Sequence, residues 1–240
     1  MSYSDCTFKD KNPVKRWLQS HRLIDAIALV EGKLPPPNCI LDFGAGNGEL
    51  CKHLAERFPH ARIICYEPAP FLMEEAKENL AGHSRVEFFL DIKDVPLDSV
   101  DILFCLEVFE HLPKAQTEEA LGQIKGLLKK NGKAIIGVPV EIGLPALYKG
   151  LFRMTRRFGK FDASIKNVLL SALFSPPKDR PTEEIAAGLP WHHEHLGFDY
   201  RRLGATLKSW FVIQQVKASP FPWLGPLVNP EINFVVQKID

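Results

Sequence analysis

No stretch of this chain stays apolar for the roughly 18–20 residues that a membrane-spanning helix needs, which argues against an integral membrane protein. Charge of one sign is missing as well. The 30 Lys and Arg against 29 Asp and Glu leave a formal charge of +1. The whole chain therefore carries no electrostatic footprint for nucleic acid, although a local basic patch stays open. Cysteine is scarce and odd in number, at Cys6, Cys39, Cys51, Cys65 and Cys105, with no Cys-x-x-Cys pair. That speaks against a Cys/His zinc module and against a disulfide framework. Cys39, Cys65 and Cys105 each fall inside an apolar run, where a free thiol behaves as a small buried hydrophobe. The polar start, Met1 to Pro13, lacks the apolar stretch of a secretory signal. These features predict a cytoplasmic protein. Repeats and low-complexity tracts are absent too.

What is present suits a packed core: 45% hydrophobic and 25% charged residues over 240 positions is an ordinary globular balance. Trp17, Leu18, Leu23, Ile24, Ile27 and Ala28 recur at helical spacing within Val14–Val30, and Gly32 with Pro35-Pro36-Pro37 stops that helix. Five short apolar runs follow, at 39–43, 61–66, 86–90, 100–106 and 133–139. Between them 49–58, 71–81 and 117–130 read as amphipathic helices, the last closed by a left-handed cap at Asn131-Gly132. Strands alternating with helices imply right-handed crossovers and a parallel sheet covered on both faces. Beyond Val140 the rhythm breaks. Residues 142–173 read as helical, 175–181 are proline-rich, and another turn falls near 188–190. A helix at 200–210 and strands at 211–216 and 232–237 close the chain, with a loop from Pro220 to Pro230. The expected organisation is one domain over 1–240: a cofactor-binding core at 12–140, a helical insertion or lid at 141–190, and the C-terminal part of the sheet at 191–240.

Ligands of open α/β sheets bind at the carboxyl ends of the strands. Asp42-Phe43-Gly44-Ala45-Gly46-Asn47-Gly48 occupies that place, between the first strand and a helix. Glycines there permit positive φ and close backbone approach, but a lone Gly-x-Gly also fits a plain tight turn. Its context narrows the choice. Glu67 ends the second run, about 25 residues after Asp42, where a ribose-binding acid belongs. Asp91 ends the third, where a carboxylate could accept from an adenine amino group. Three acids at three successive strand ends are hard to explain as solvated loop residues. A dinucleotide site expects Gly-x-Gly-x-x-Gly with a helix N-terminus facing pyrophosphate. Here the third glycine comes one residue early, at Gly48, and Glu49 opens the helix. A carboxylate there opposes a pyrophosphate and tolerates a cationic sulfonium.

Ile40 to Gly48 resembles the first motif of class I S-adenosylmethionine-dependent methyltransferases. Cys105-Leu106-Glu107-Val108-Phe109-Glu110-His111-Leu112 is similar to the fourth-strand motif of their branch containing ubiquinone-biosynthesis O-methyltransferases. The resemblance runs from about Asn12 to Val140, with a looser echo from Trp191 onward. It implies an α/β fold with a Rossmann-like seven-stranded, mostly parallel sheet, helices on both faces and a helical insertion after the fifth strand. It also implies S-adenosyl-L-methionine as cofactor: Gly44 and Gly46 at the methionine moiety, Glu67 at the ribose, Asp91 and Ile92 at the adenine, Leu106 on the methionine side. Asp42 and Glu107 complete that set. Arg22, ahead of Arg16, is the candidate for the cofactor carboxylate, unless it is a surface residue of the first helix.

Methyl transfer to oxygen needs a positioned nucleophile and a place for its proton. His111 is a candidate base, with a structural role for Glu110-His111 as the alternative. Trp191-His192-His193-Glu194-His195 supplies His195 and His192 as further candidates, or as pocket walls. Its spacing matches no metal module, so no metal is expected. Leu144, Leu147, Tyr148, Leu151, Phe152 and Phe158 form one helical face, opposite Lys149, Arg153, Arg156, Arg157 and Lys160. This segment, 144–161, reads as a lid packing its apolar face over the site with its arginines in water. A peripheral contact with the inner membrane surface is the other reading. The aromatics do not interleave with the arginines, so RNA ranks below a small-molecule or lipid-linked acceptor. The leading expectation is O-methylation of such an acceptor. The alternatives are a nicotinamide-dependent oxidoreductase and a noncatalytic module on the same fold that binds a membrane surface or a partner.

Overall fold

The computed structural model describes residues 13–32 and 36–239, so Cys6, the polar start and Pro35 lie outside the described residues. Helix α1 (Pro13–Ala28) precedes the sheet. Strands β1 (Cys39–Phe43), β2 (Arg62–Tyr66), β3 (Val86–Phe89), β4 (Val100–Leu106) and β5 (Leu128–Pro139) follow. Between them run α2 (Glu49–Arg57), α3 (Pro70–Asn79) and α4 (Lys114–Leu127). After β5 come α5 (Leu144–Arg157), α6 (Ile165–Ala172), and a hairpin of β6 (Glu183–Ala186) and β7 (Leu189–Trp191). Helix α7 (Tyr200–Trp210), β8 (Phe211–Ser219) and β9 (Glu231–Lys238) end the chain.

The main sheet has the order β3-β2-β1-β4-β5-β9-β8. Its first five strands are mutually parallel, and β9 runs antiparallel between β5 and β8. Both faces are covered. Cys39, Leu41 and Phe43 point into a core closed by α4 and α7, while Ile40 points into one closed by α1, α2 and α3. Period-2 alternation between two buried faces is why the strands read as unbroken apolar runs. The order reverses between β1 and β4, which opens a crevice at their carboxyl ends.

Several elements differ from the sequence expectation. Helix α4 stops at Leu127, and Leu128 is already extended. Neither Asn131 nor Gly132 has positive φ, so they form no left-handed cap. They lie in β5 where its pairing jumps from Val100↔Leu128 to Ile102↔Lys133. A Cβ on Gly132 would sit 2.8 Å from the Val100 carbonyl oxygen, so glycine is used for close approach. Residues 142–173 form two helices: α5 ends at Arg157, Gly159 turns at φ 86, and α6 starts at Ile165. The turn expected near 188–190 falls at 187–188 and joins the β6–β7 hairpin, with Leu189 and Pro190 already in β7.

The largest correction concerns α5. Its apolar face does not cover the site: Leu144, Tyr148, Leu151, Phe152 and Phe158 are exposed, while Lys149 and Arg153 face inward. Glu141, just past β5, is fully buried. Arg153 grips it with both terminal nitrogens at 2.8 Å, and Lys149 Nζ donates at 3.1 Å. Asp162 is also buried and pairs with Arg153 and Arg157. A buried carboxylate without a cation is far costlier than an exposed leucine. The two acids therefore decide which side of the helix turns inward. Replacing Arg153 by Leu should cost up to about 3–5 kcal/mol in urea denaturation, since it leaves buried Glu141 to Lys149 and buried Asp162 to Arg157. A loss no larger than that of Lys160→Leu, an exposed cation, would refute this account.

Candidate active site

The turn after β1 is bent by three glycines at positive φ: Gly44 (77°), Gly46 (56°) and Gly48 (79°). The Gly44 and Ala45 N–H groups both donate to the Tyr66 carbonyl at 2.9 Å, which pins the turn to the end of β2. A Cβ on Gly44 would meet Val108 Cγ2 at 2.6 Å. Glu67, next after β2, accepts from Gly46 N–H at 2.8 Å on Oε2 and from Ala69 N–H at 2.9 Å on Oε1. Burial raises its carboxyl above the usual range. Gly44, Gly46 and Glu67 thus line one cavity of about 690 Å³, which continues past Val108 to His111 and His195 beneath Trp191. That volume lies within the range of roughly 300–1,000 Å³ usual for small-ligand sites.

Other predicted residues are placed differently. Asp42 is buried away from the cavity lining, accepts from Cys51 Sγ at 3.5 Å and is pushed up to about 7 by burial. Asp91 caps the following turn, accepting from Lys93 N–H at 3.0 Å, and Ile92 is buried in the core. Neither they nor Leu106 line the cavity. Arg22 reaches Glu107, Nη1 to Oε2 at 2.9 Å, and Arg16 is exposed. Burial alone would raise Glu107; the Arg22 guanidinium overrides it and holds the carboxyl at about 2. Glu107 itself sits at φ 57, a conformation that non-glycine residues adopt at a cost.

His111 is held from several directions. Its backbone carbonyl accepts from His192 N–H at 2.8 Å, and its Nδ1 lies 2.6 Å from the His192 carbonyl oxygen. A carbonyl only accepts, so Nδ1 carries the proton and Nε2 is left with a lone pair. Trp191 stacks flat on the ring at 4.1 Å and 8°, and His195 meets it edge-on at 4.6 Å. Burial pushes His111 down to about 4 and His195 to about 3. The His192 ring turns away to the Pro181 carbonyl at 2.8 Å, so this residue serves the site through its backbone. Glu110 is fully buried, and neither carboxyl oxygen has a hydrogen-bond partner among the described residues, although His111 Nε2 lies 3.6 Å from Oε1. Burial, then the charge on Glu107, raises it well above the carboxylate range. One ligand-type atom each from Glu110, His111 and His195 lies within 4.8 Å of the others, a set that could hold a divalent cation. The sequence reading looked for metal spacing inside 192–195 and missed this set, because Glu110 and His195 are far apart in the chain.

A second cavity of about 520 Å³ is bounded by α1, α5 and the start of β9, and shares Glu107 and His195 with the first. Sequence reasoning missed Glu231 and Glu141 in its wall. It also missed Arg180, whose Nη2 donates to the Glu110 carbonyl at 2.6 Å and the Glu194 carbonyl at 2.5 Å. None of these carries a local motif. Trp191 had one signal, its place directly before the histidine cluster.

Residues 41–134 match the family of methyltransferase domains. The chain is 32% identical to an uncharacterized methyltransferase of Anoxybacillus flavithermus, over 52% of this chain and 58% of that protein. It is 28% identical to the malonyl-[acyl-carrier protein] O-methyltransferase of Halalkalibacterium halodurans, over 52% and 54%. The chain thus spans somewhat more than half the length of these curated relatives. Among solved structures, the Burkholderia thailandensis 1,6-didemethyltoxoflavin-N1-methyltransferase with bound 1,6-didemethyltoxoflavin and S-adenosylhomocysteine superposes with a TM-score of 0.58. Identity there is 17%, over 98% of this chain and 85% of that one, so the likeness is one of fold. The family match covers 41–134, and the superposition shows that the whole chain has the fold of a solved methyltransferase.

His111 and His195 also set a pH dependence. Both titrate below their unfolded value of 6.5. The unfolded chain therefore binds their protons first as pH falls, and their contribution to stability drains away from about pH 6.5 toward 4. Asp42, raised to about 7, opposes this, so a comparison with a variant isolates the histidine. In chelator, His195→Leu should gain stability relative to the native chain between pH 7 and pH 5 in chemical denaturation. A difference that does not change with pH would contradict the buried neutral imidazole.

Proposed function

We propose that this chain is an S-adenosylmethionine-dependent methyltransferase acting on an oxygen of a small or lipid-linked acceptor. One observation carries the reading: the glycine turn and Glu67 stand at one end of a cavity whose other end is His111 and His195. When bound, S-adenosylmethionine supplies a methyl group carried on a cationic sulfonium. The core over 12–140 would hold it, with the Cβ-free edge of Gly44 and Gly46 along the methionine part and Glu67 at the ribose hydroxyls. The resemblance puts Asp91 and Ile92 at the adenine end and Leu106 at the sulfonium end, from behind the cavity lining; Glu107 lines the cavity, and Asp42 steadies the turn from beneath. Arg22 acts through Glu107, whose negative charge it maintains.

The proton of the acceptor is the task of His111. With Nδ1–H held by the His192 carbonyl, Nε2 is unprotonated, 3.6 Å from Glu110 Oε1, and takes the proton of an acceptor hydroxyl in the cavity that His111 lines. Trp191 and His195 fix the plane of the ring. A nitrogen this weakly basic suits an acceptor that is itself acidic, such as an enol or a phenol, over an alkanol. The O-methyltransferase among the relatives supports oxygen as the methylated atom. The insertion over 141–190 and the C-terminal part over 191–240 then form the acceptor side.

Calorimetric titration with S-adenosylhomocysteine should show binding to the native chain, weakened roughly 10- to 100-fold in Glu67→Ala by the loss of hydrogen bonds to a charged group. No heat from the native chain would sink the proposal. With methyl-labelled cofactor and a panel of phenols, His111→Gln should lower turnover about 100-fold or more with product affinity unchanged. The native pH profile should show no inflection near 6.5. Loss of turnover in EDTA, restored by a divalent cation, would reassign Nε2 from base to metal ligand.

A further inference from the structure

The face of α5 that Glu141 and Asp162 turn outward belongs to a larger apolar surface. Phe158 is 70% exposed, Leu173 75% and Trp223 78%, with Leu151, Leu169 and Leu227 each half exposed or more. Three contacts join the elements that carry them. Gly150 lets α6 approach α5 so closely that a Cβ would lie 2.5 Å from the Val168 methyls. Tyr148 Oη donates to the Val228 carbonyl at 3.3 Å, tying α5 to the loop before β9. Phe221 lies 6.1 Å from Trp17 of α1 and 6.2 Å from Trp223.

Its chemistry is that of a bilayer contact. The loop from Pro220 to Pro230 contains no charged residue. From Gly143 to Lys178 the one acidic residue is Asp162, which is buried, while Arg156, Arg157, Lys160 and Lys166 are exposed among the apolar side chains. In a chain of net charge +1, that is a local concentration of positive charge beside Trp, Phe and Leu. The centre of a protein interface is depleted of charge, whereas an interfacial membrane surface mixes the two, with aromatics and stems in the acyl boundary and cations among phosphates. The second cavity also reaches this face, because Phe152, Arg156 and Arg157 line it.

We infer that α5, α6 and the 220–230 loop dock the protein on the surface of an anionic lipid bilayer, with the second cavity turned to it. The docking stands without the methyl-transfer reading; the entry of an acceptor from the lipid rests on it. The test is co-sedimentation of the full chain with vesicles of phosphatidylglycerol in phosphatidylcholine, against phosphatidylcholine alone. The chain should pellet with the anionic vesicles and be released by salt. The double variant Leu151→Asp/Trp223→Asp should bind roughly tenfold more weakly or worse. Lys160→Glu/Lys166→Glu should lose the preference for the anionic vesicles. Titration with S-adenosylhomocysteine reports separately on the folded cofactor site, and both variants should match the native chain there. Failure to pellet with anionic vesicles, or equal pelleting by the native chain and both variants, overturns the inference. So does a native dimer in sedimentation equilibrium that Leu151→Asp dissociates, which would assign the face to a second copy.

Discussion

A carboxylate shut away from water, Glu141, governs the half of the molecule beyond the parallel strands. Leaving β5 into the interior, it must be met by cations, and the nearest are Lys149 and Arg153 on the following helix. Meeting them rotates that helix so that its leucines and phenylalanines face out. Arg153 also reaches Asp162, which ties down the segment between α5 and α6. One charge-burial problem at the end of a strand thereby sets the helix orientation, one wall of the second cavity and the outer surface.

At the neighbouring strand end the same economy recurs with a different solution. Glu107 leaves β4 at positive φ, is matched by Arg22, and keeps its charge. Glu110, three residues on and inside a turn, has no cation among the described residues; burial pushes its carboxyl well above the usual range and pushes the two histidines beside it down. Charged and uncharged titratable groups therefore stand side by side where the two cavities meet. The backbone bonds between His111 and His192, and the Arg180 clamp on Glu110 and Glu194, attach the C-terminal segment to this strand end. The site is assembled from parts distant in sequence.

That assembly explains what could be read from the chain and what could not. The parallel strands were visible because burial on both faces leaves a continuous apolar run, and the glycine turn because Gly44 and Gly48 answer a local conformational demand. Helix α7 was visible from end to end; its cap, Asp199, emerged with the structure. The orientation of α5 was hidden. Amphipathicity shows that a helix has two faces, and the usual rule buries the apolar one; only the position of Glu141 in three dimensions reverses it. Asn131-Gly132 misled for a related reason, since the pair that caps a helix also suits a strand irregularity. The Glu110, His111 and His195 grouping depends on a chain crossing that no spacing rule encodes.

Glu107 and His195 are a partition with a chamber on each side. Each of these side chains touches both spaces, so a substitution of Glu107 or His195 alters two chambers at once.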